Sequence, residues 1–214
     1  NMSIIKLNGY DLSLEDLIKV CRYGHKVELT EKAIERIKTA RAIVDDLVEN
    51  EKVSYGITTG FGKFSDVVIS KKDTRQLQIN LIRSHACGVG DPLSEEIVRA
   101  MMLLRINALS KGYSGVRLET LQVLIDMLNK GVHPIVPEKG SLGSSGDLAP
   151  LSHMVLTMLG EGEAIYKGAR MDSKDAMEKA GIKPLEYLSS KEGLSLNNGT
   201  QCMTAVGAIT VYDA

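Results

Sequence analysis

Gly140-Ser141-Leu142-Gly143-Ser144-Ser145-Gly146-Asp147 runs without a break into Leu148-Ala149-Pro150-Leu151-Ser152-His153. Six of the first eight residues are Gly or Ser, the composition of a flexible loop. Residues 151–159 behind it are apolar, and the pattern predicts a buried helix over about 148–159. A loop of small residues feeding straight into a core brings its backbone close to something, or takes part in chemistry itself.

Three mechanisms use such a loop. A phosphate cradle needs a Gly-rich turn before a helix N-terminus, and the P-loop form adds Gly-Lys-Ser/Thr. Here Asp147 follows Gly146, an anion where a phosphate would sit. A nucleophile elbow needs Gly-x-Ser-x-Gly, and neither Gly143-Ser144-Ser145-Gly146 nor Gly112-Tyr113-Ser114-Gly115 has that spacing. The third is backbone cyclisation. The unhindered nitrogen of a Gly after Ser approaches the carbonyl carbon of the residue before that Ser, and loss of water leaves a five-membered ring. An ordinary Gly-rich bend between buried helices also fits, and the loop alone leaves that open.

The 214 residues are 43% hydrophobic and 25% charged, which predicts a soluble globular chain with a real core, forming one domain or a large part of one. A net charge of -1 gives no electrostatic case for nucleic acid or a membrane surface. No apolar run is long enough for a bilayer span. Cys21, Cys87 and Cys202 are widely spaced, match no metal motif and are expected of a reducing, cytoplasmic compartment. With no Trp and two Phe, the core is expected to be aliphatic. Asn1 before Met2 reads as a remnant. The apolar stretch 200–214 stops without a helix-ending Gly, so the chain is expected to be cut inside a helix.

Outward from the loop, long helical patterns dominate and predict a mainly α architecture with one or two short hairpins. Residues 3–11 alternate weakly around Asn8-Gly9, which predicts a small hairpin. Ser13 opens a short helix and Glu28-Leu29 reads as a brief strand. Thr30 caps a helix over 31–50 with Ile34, Ile37, Ala40, Val44, Leu47 and Val48 as its buried stripe. Tyr55-Gly56-Ile57-Thr58-Thr59-Gly60-Phe61-Gly62 reads as a mobile loop, either a surface turn or a lid carrying Tyr55. Residues 71–86 form a helix with Leu77, Leu81 and Ser84/His85 approaching one face; for His85 alone a structural role stays open. Ser94 starts a helix to about Ser110 that contains Arg105 and Asn107. A charge in an apolar segment needs a partner or a ligand, and for Arg105 both stay open. Gly131 stops a helix over 118–130, and His133-Pro134-Ile135-Val136-Pro137 is an extended link with a structural His133. Residues 164–171 read as a hairpin with Lys167-Gly168 at its turn, and 173–180 as a small helix closed by Gly181. Asn197-Asn198-Gly199-Thr200-Gln201 opens the final helix, as caps or as site residues.

Taken in order, these motifs resemble the aromatic amino acid ammonia-lyases and aminomutases, and the histidine ammonia-lyases most closely. The resemblance rests on residues 55–62, Asn80-Leu81-Ile82-Arg83-Ser84-His85 through Gly90, Leu104-Arg105-Ile106-Asn107, 112–116, 140–150, and Asn198-Gly199-Thr200-Gln201. It covers most of the chain and implies the N-terminal part, residues 1–214, of an ammonia-lyase-like helical fold.

The resemblance further implies that Ser144-Ser145-Gly146 forms the family's prosthetic group, 4-methylidene-imidazol-5-one, from its own backbone, with no metal. The family usually has Ala first. Ser144 departs from that, but the chemistry uses the backbone carbonyl, so a hydroxymethyl group would replace a methyl. An electron-poor methylidene supplies an electrophile that no ordinary side chain offers. By the family's pattern Tyr55 is the base for the β-proton, and a phenol does this only where the site favours its ionised form. Asn198 orients the amine or ring carbonyl, and Asp147 assists cyclisation. Gln201 supports the site, while Gly62, Ser84, His85 and Arg105 are its substrate-binding candidates. The polar Ser84-His85 pair resembles histidine-specific members, which implies L-histidine to trans-urocanate plus ammonia. A phenylalanine or tyrosine ammonia-lyase, an aminomutase, and a non-catalytic binding or assembly module are the alternatives. The family also implies a homotetramer whose remaining site residues lie in a C-terminal half, so residues 1–214 alone are expected to be inactive.

Overall fold

A computed structural model of the chain describes residues 3–50, 52–55, 57–60, 63, 67, 69–144 and 146–214. Strand β1 (Ile5–Leu7) does not turn back on itself at Asn8-Gly9. Helix α1 (Leu14–Cys21) carries the chain across to β2 (Val27–Leu29), which pairs with β1 in parallel, Ile5 opposite Val27. The expected hairpin over 3–11 is therefore replaced by a crossover, the connection parallel strands require. The cause is local. The Asn8 side-chain oxygen accepts the N–H groups of Tyr10 and Asp11 at 2.8 and 3.1 Å, and this Asx turn sends the chain outward to Ser13.

Polar caps start the next helices where the sequence places them. Ser13 Oγ accepts the Asp16 N–H at 3.1 Å, and Thr30 Oγ1 accepts that of Ala33 at 3.2 Å to open α2 (Glu31–Glu49). The α2 core face is Ala33, Ile37 and Val44, joined by Arg41, whose guanidinium reaches the Gly115 and Ser190 carbonyls. Ser70 caps α3 (Lys71–His85). Its buried face is Thr74, Gln78 and Ile82. Leu77, Leu81 and Ser84 do share one face, as the periodicity predicts, but it lines an open apolar cavity of about 450 Å³.

After α3, β3 (Val89–Pro92) leads to the central helix α4 (Glu95–Leu109), capped by Ser94. Met101, Met102, Leu103, Ile106 and Leu109 of α4 are fully buried, and each such side chain contributes about 1.5–3 kcal/mol relative to exposure. Helix α5 (Leu118–Lys130) ends at Gly131, whose φ of 77° only glycine adopts freely. The expected extended link then divides into β4 (Val132–Pro134) and β5 (Pro137–Lys139), with β5 antiparallel to β3. Helix α6 (Leu148–Met158) follows the Gly-rich loop. Strands β6 (Glu163–Tyr166) and β7 (Ala169–Asp172) form the expected hairpin, and β4 joins it beside β6. Lys167 and Gly168 both have positive φ, 49° and 78°, as a type I′ turn requires. Helix α7 (Ser173–Lys179) precedes α8 (Glu192–Asn197) and α9 (Gln201–Asp213).

Helix α4 packs against α1, α5 and α9, and α6 packs against α3 and α8. The result is the mainly α architecture with short strands that the sequence predicts. Among the described residues no helix is long and apolar enough to cross a membrane. No group of three or more His, Cys, Asp or Glu could hold a metal ion among them.

Candidate active site

The loop from Gly140 to Asp147 bends because two of its glycines adopt left-handed backbone, Gly143 at φ 93° and Gly146 at φ 86°. The Leu142 N–H donates to the Gly146 carbonyl at 2.7 Å and closes the bend. Ser144 is exposed, and Ser145 lies outside the described residues. The anchor is Asp147. Its side chain is fully buried, with Oδ1 accepting the Ser141 hydroxyl at 2.9 Å and Oδ2 accepting the Met203 N–H at 2.8 Å. Met203 is not legible as a site partner because it lies 56 residues away and contributes a backbone N–H, and Ser141 meets Asp147 only because the loop folds back across six residues. Asp147 also helps hold the buried Cys202 thiol up at about 11, with burial the larger cause.

Met203 belongs to the first turn of α9, and the Asn198-Gly199-Thr200-Gln201 motif leads from the end of α8 into that turn. The Asn198 N–H donates to the Leu194 carbonyl at 3.0 Å and ends α8, while its side chain is exposed. Gln201 begins α9. Its Oε1 accepts Arg105 Nη1 at 2.9 Å, and Arg105 Nη2 donates to the Ser195 carbonyl. Arg105 is only 5% exposed, and burial lowers the guanidinium to about 10. Asn197, fully buried, donates to Ser152 Oγ on α6 at 3.2 Å. Two separate sets of bonds thus meet the start of α9, Arg105 with Gln201 and Asp147 with Met203, while Asn198 precedes them with its side chain exposed and bonded to neither.

Ser84 and His85 sit at the end of α3. The Leu81 carbonyl can only accept, so His85 Nδ1, 2.8 Å away, carries the proton that it donates there. Ser84 Oγ donates to the same carbonyl at 3.0 Å and lies 3.1 Å from His85 Nδ1. In the neutral ring this leaves Nε2 as the acceptor. Just beyond, the Gly88 N–H donates to His153 Nε2 on α6 at 3.0 Å, tying the end of α3 to the helix that the Gly-rich loop feeds. Burial lowers the His153 imidazole below its ordinary value, which suits this acceptor role. His153 is a positional partner that the sequence hid, since a lone His on an apolar helix has no distinguishing pattern.

Tyr55 is exposed, in the segment that leads to Gly60. Gly60, Val67 and Ile69 line the 450 Å³ cavity together with Leu77, Asn80, Leu81 and Ser84. Gly62 lies outside the described residues.

The chain is similar to known proteins over nearly its whole length. A histidine ammonia-lyase from Alkaliphilus oremlandii is 67% identical over 213 residues, 100% of this chain and 42% of that protein. The crystal structure of histidine ammonia-lyase from Trypanosoma cruzi matches with a TM-score of 0.91 and 40% identity, over 98% of this chain and 41% of that one. The ergothionase of Treponema denticola, an ergothioneine-degrading enzyme, matches with a TM-score of 0.92 and 36% identity, over 99% and 42%. The chain therefore spans about 42% of the length of the curated relatives it matches. Residues 12–214 match the family model for aromatic amino acid lyases, and the chain belongs to that family.

Proposed function

We propose that the whole protein is a carbon–nitrogen lyase that converts L-histidine to trans-urocanate and ammonia. The observation that carries this reading is the 67% identity, over the full chain, to a protein named histidine ammonia-lyase. The site's geometry supports the choice of histidine. With Nδ1 donating to the Leu81 carbonyl, His85 offers Nε2 as an acceptor for an imidazole N–H.

The loop fits the family's prosthetic group. It is bent at Gly143, just before the tripeptide, and at Gly146, its last residue; Leu142 and Gly146 are joined by a hydrogen bond, and the exposed Ser144 leaves room for a hydroxymethyl substituent. Ser144, Ser145 and Gly146 would form and hold the group, which when present supplies an electrophilic carbon to the substrate amine. The chain's own residues supply the rest. Tyr55 takes the β-proton as the carbon–nitrogen bond breaks and the carbon–carbon double bond forms. Asn198 orients the amine. Asp147 holds the bend by its two hydrogen bonds. The protein works in the cytoplasm as a homotetramer, a reading the free cysteines and the family resemblance support, and residues 1–214 alone are inactive.

A substrate panel on the full-length protein tests this. Histidine is expected to give urocanate absorbance, with phenylalanine, tyrosine and ergothioneine turned over far more slowly. Intact mass is expected to show loss of two water molecules. An unchanged mass with no turnover would instead identify a binding or assembly module. Urocanate formed by residues 1–214 alone would overturn the claim that this part is inactive.

A further inference from the structure

Arg105 is a buried cation with no carboxylate on it among the described residues. Its two Nη contacts are neutral, the Gln201 side-chain oxygen and the Ser195 carbonyl, and Nε has no acceptor among the described residues. Burying a guanidinium on neutral partners is costly unless its rigid fork holds something in place. The fork spans two elements. Ser195 lies in α8, which ends just before Asn198, and Gln201 is the first residue of α9. One planar group therefore bridges the helices on either side of the Asn198-Gly199-Thr200 turn.

Gly199 shows how tightly. A Cβ built there would overlap both Gln201 Oε1 and Arg105 Nη1. The guanidinium lies against the turn's backbone, with both of its Nη groups already bonded to Gln201 and Ser195. Two residues past Gln201, the Met203 N–H holds Asp147 and through it the Gly-rich bend. Arg105 thus acts on the piece of chain that carries Asn198 and anchors the bend.

We infer that Arg105 is a positioning residue, which fixes Asn198 relative to the Ser144–Gly146 bend through Gln201 and Gly199 and does not itself bind substrate. This rests on the reading of Asn198 and the bend as parts of a lyase site.

The test uses the full-length protein with Arg105→Gln, Arg105→Lys, Gln201→Met and the double variant Arg105→Gln/Gln201→Met. Each Gln or Met single variant is expected to lower kcat by about tenfold or more with KM within about twofold, the pattern of a lost transition-state arrangement. The double variant is expected to be no worse than the poorer single, because both break one unit. Arg105→Lys, which keeps the charge and one donor nitrogen, is expected to recover part of kcat. Amide exchange over residues 198–203 is expected to accelerate in the singles and not in distant segments. A rise in KM of about tenfold in both Arg105 variants, with Gln201→Met behaving as wild type, would show direct substrate contact and overturn the inference. Unchanged kcat and unchanged exchange would overturn it too. If the Arg105 variants do not fold, Gln201→Met and Gly199→Ala carry the same expectations. If the wild type turns over no amino acid, the functional reading fails, while the exchange measurement still decides whether Arg105 holds the turn.

Discussion

Asp147 caps a helix that begins 54 residues later in the chain: its Oδ2 accepts the Met203 N–H at 2.8 Å, in the first turn of α9. Thr200, at the N-cap position, makes no side-chain capping bond, so an orphan donor of α9 is satisfied from the Gly-rich loop. The carboxylate also lies at the positive end of the helix dipole. Asp147→Ala leaves the Met203 N–H and the Ser141 hydroxyl without this acceptor, at a cost of about 1–3 kcal/mol. A lower denaturation midpoint is the expected result, together with full-length protein that retains the two waters in its intact mass. Asp147→Asn keeps one acceptor oxygen and is expected to fall between.

His85→Leu removes the acceptor nitrogen and the proton donor to Leu81 in one change. A site built to hydrogen-bond a polar group loses far more than a methylene's worth of discrimination when that partner goes. The expected result in full-length protein is a fall in kcat/KM for histidine of about 10²-fold or more, with phenylalanine affected much less. Equal losses on both substrates would remove His85 from substrate recognition.

His133 makes folding stability depend on pH. Its Nε2 accepts Arg99 Nη1 at 3.0 Å, so the ring must be unprotonated there. Burial, and then the Arg99 charge, lower it to about 4. Glu95 lies 3.4 Å from Nδ1 and favours protonation, but that carboxylate is half exposed and screened by water. A folded value below the unfolded one means the stabilisation is complete above the unfolded value near 6.5. It is lost as pH falls from there towards about 4, and is on the order of 3 kcal/mol in full. Urea midpoints measured at pH 7 and pH 5 are expected to drop for the wild type and to drop less for His133→Gln.

Glu192 is fully buried and accepts from the Arg117 guanidinium at 2.8 and 3.1 Å, the Arg117 N–H at 2.9 Å, Thr120 Oγ1 at 2.7 Å and the Ser189 N–H at 2.8 Å. Removing one partner of a buried pair leaves the other charge uncompensated. Glu192→Ala is expected to cost about 3–5 kcal/mol in chemical denaturation. Glu192→Gln, which keeps the shape and one acceptor, is expected to cost less.

Much of the helical layout was legible because its causes are local. Ser13, Thr30 and Ser94 cap helices through bonds to backbone groups three residues on. Gly131 ends α5 through its own φ, and Lys167-Gly168 turns the β6–β7 hairpin through theirs. The site loops were legible as unusual runs of small and polar residues, but not the partners that hold them. Gln78 shows why: it reads as one more polar residue on a helix, yet it is 1% exposed and accepts the Gly193 N–H at 2.7 Å, an element 115 residues away. The short helix α8 is not legible for a different reason: its six residues carry too little periodicity to read.

For the Gly-rich loop the division is sharp. Sequence by itself determined that 140–147 bends and runs into a buried helix, because glycine's freedom and the apolar pattern of 151–159 are properties of the residues themselves. Only the tertiary structure decided that Asp147 turns inward to cap α9. It also decided that Arg105 braces the turn beside Asn198, and that His153 ties the end of α3 to α6. Each of these rests on hydrogen bonds between groups 56 to 96 residues apart. A donor's partner across such a separation is chosen by how the helices pack, and no local pattern encodes it.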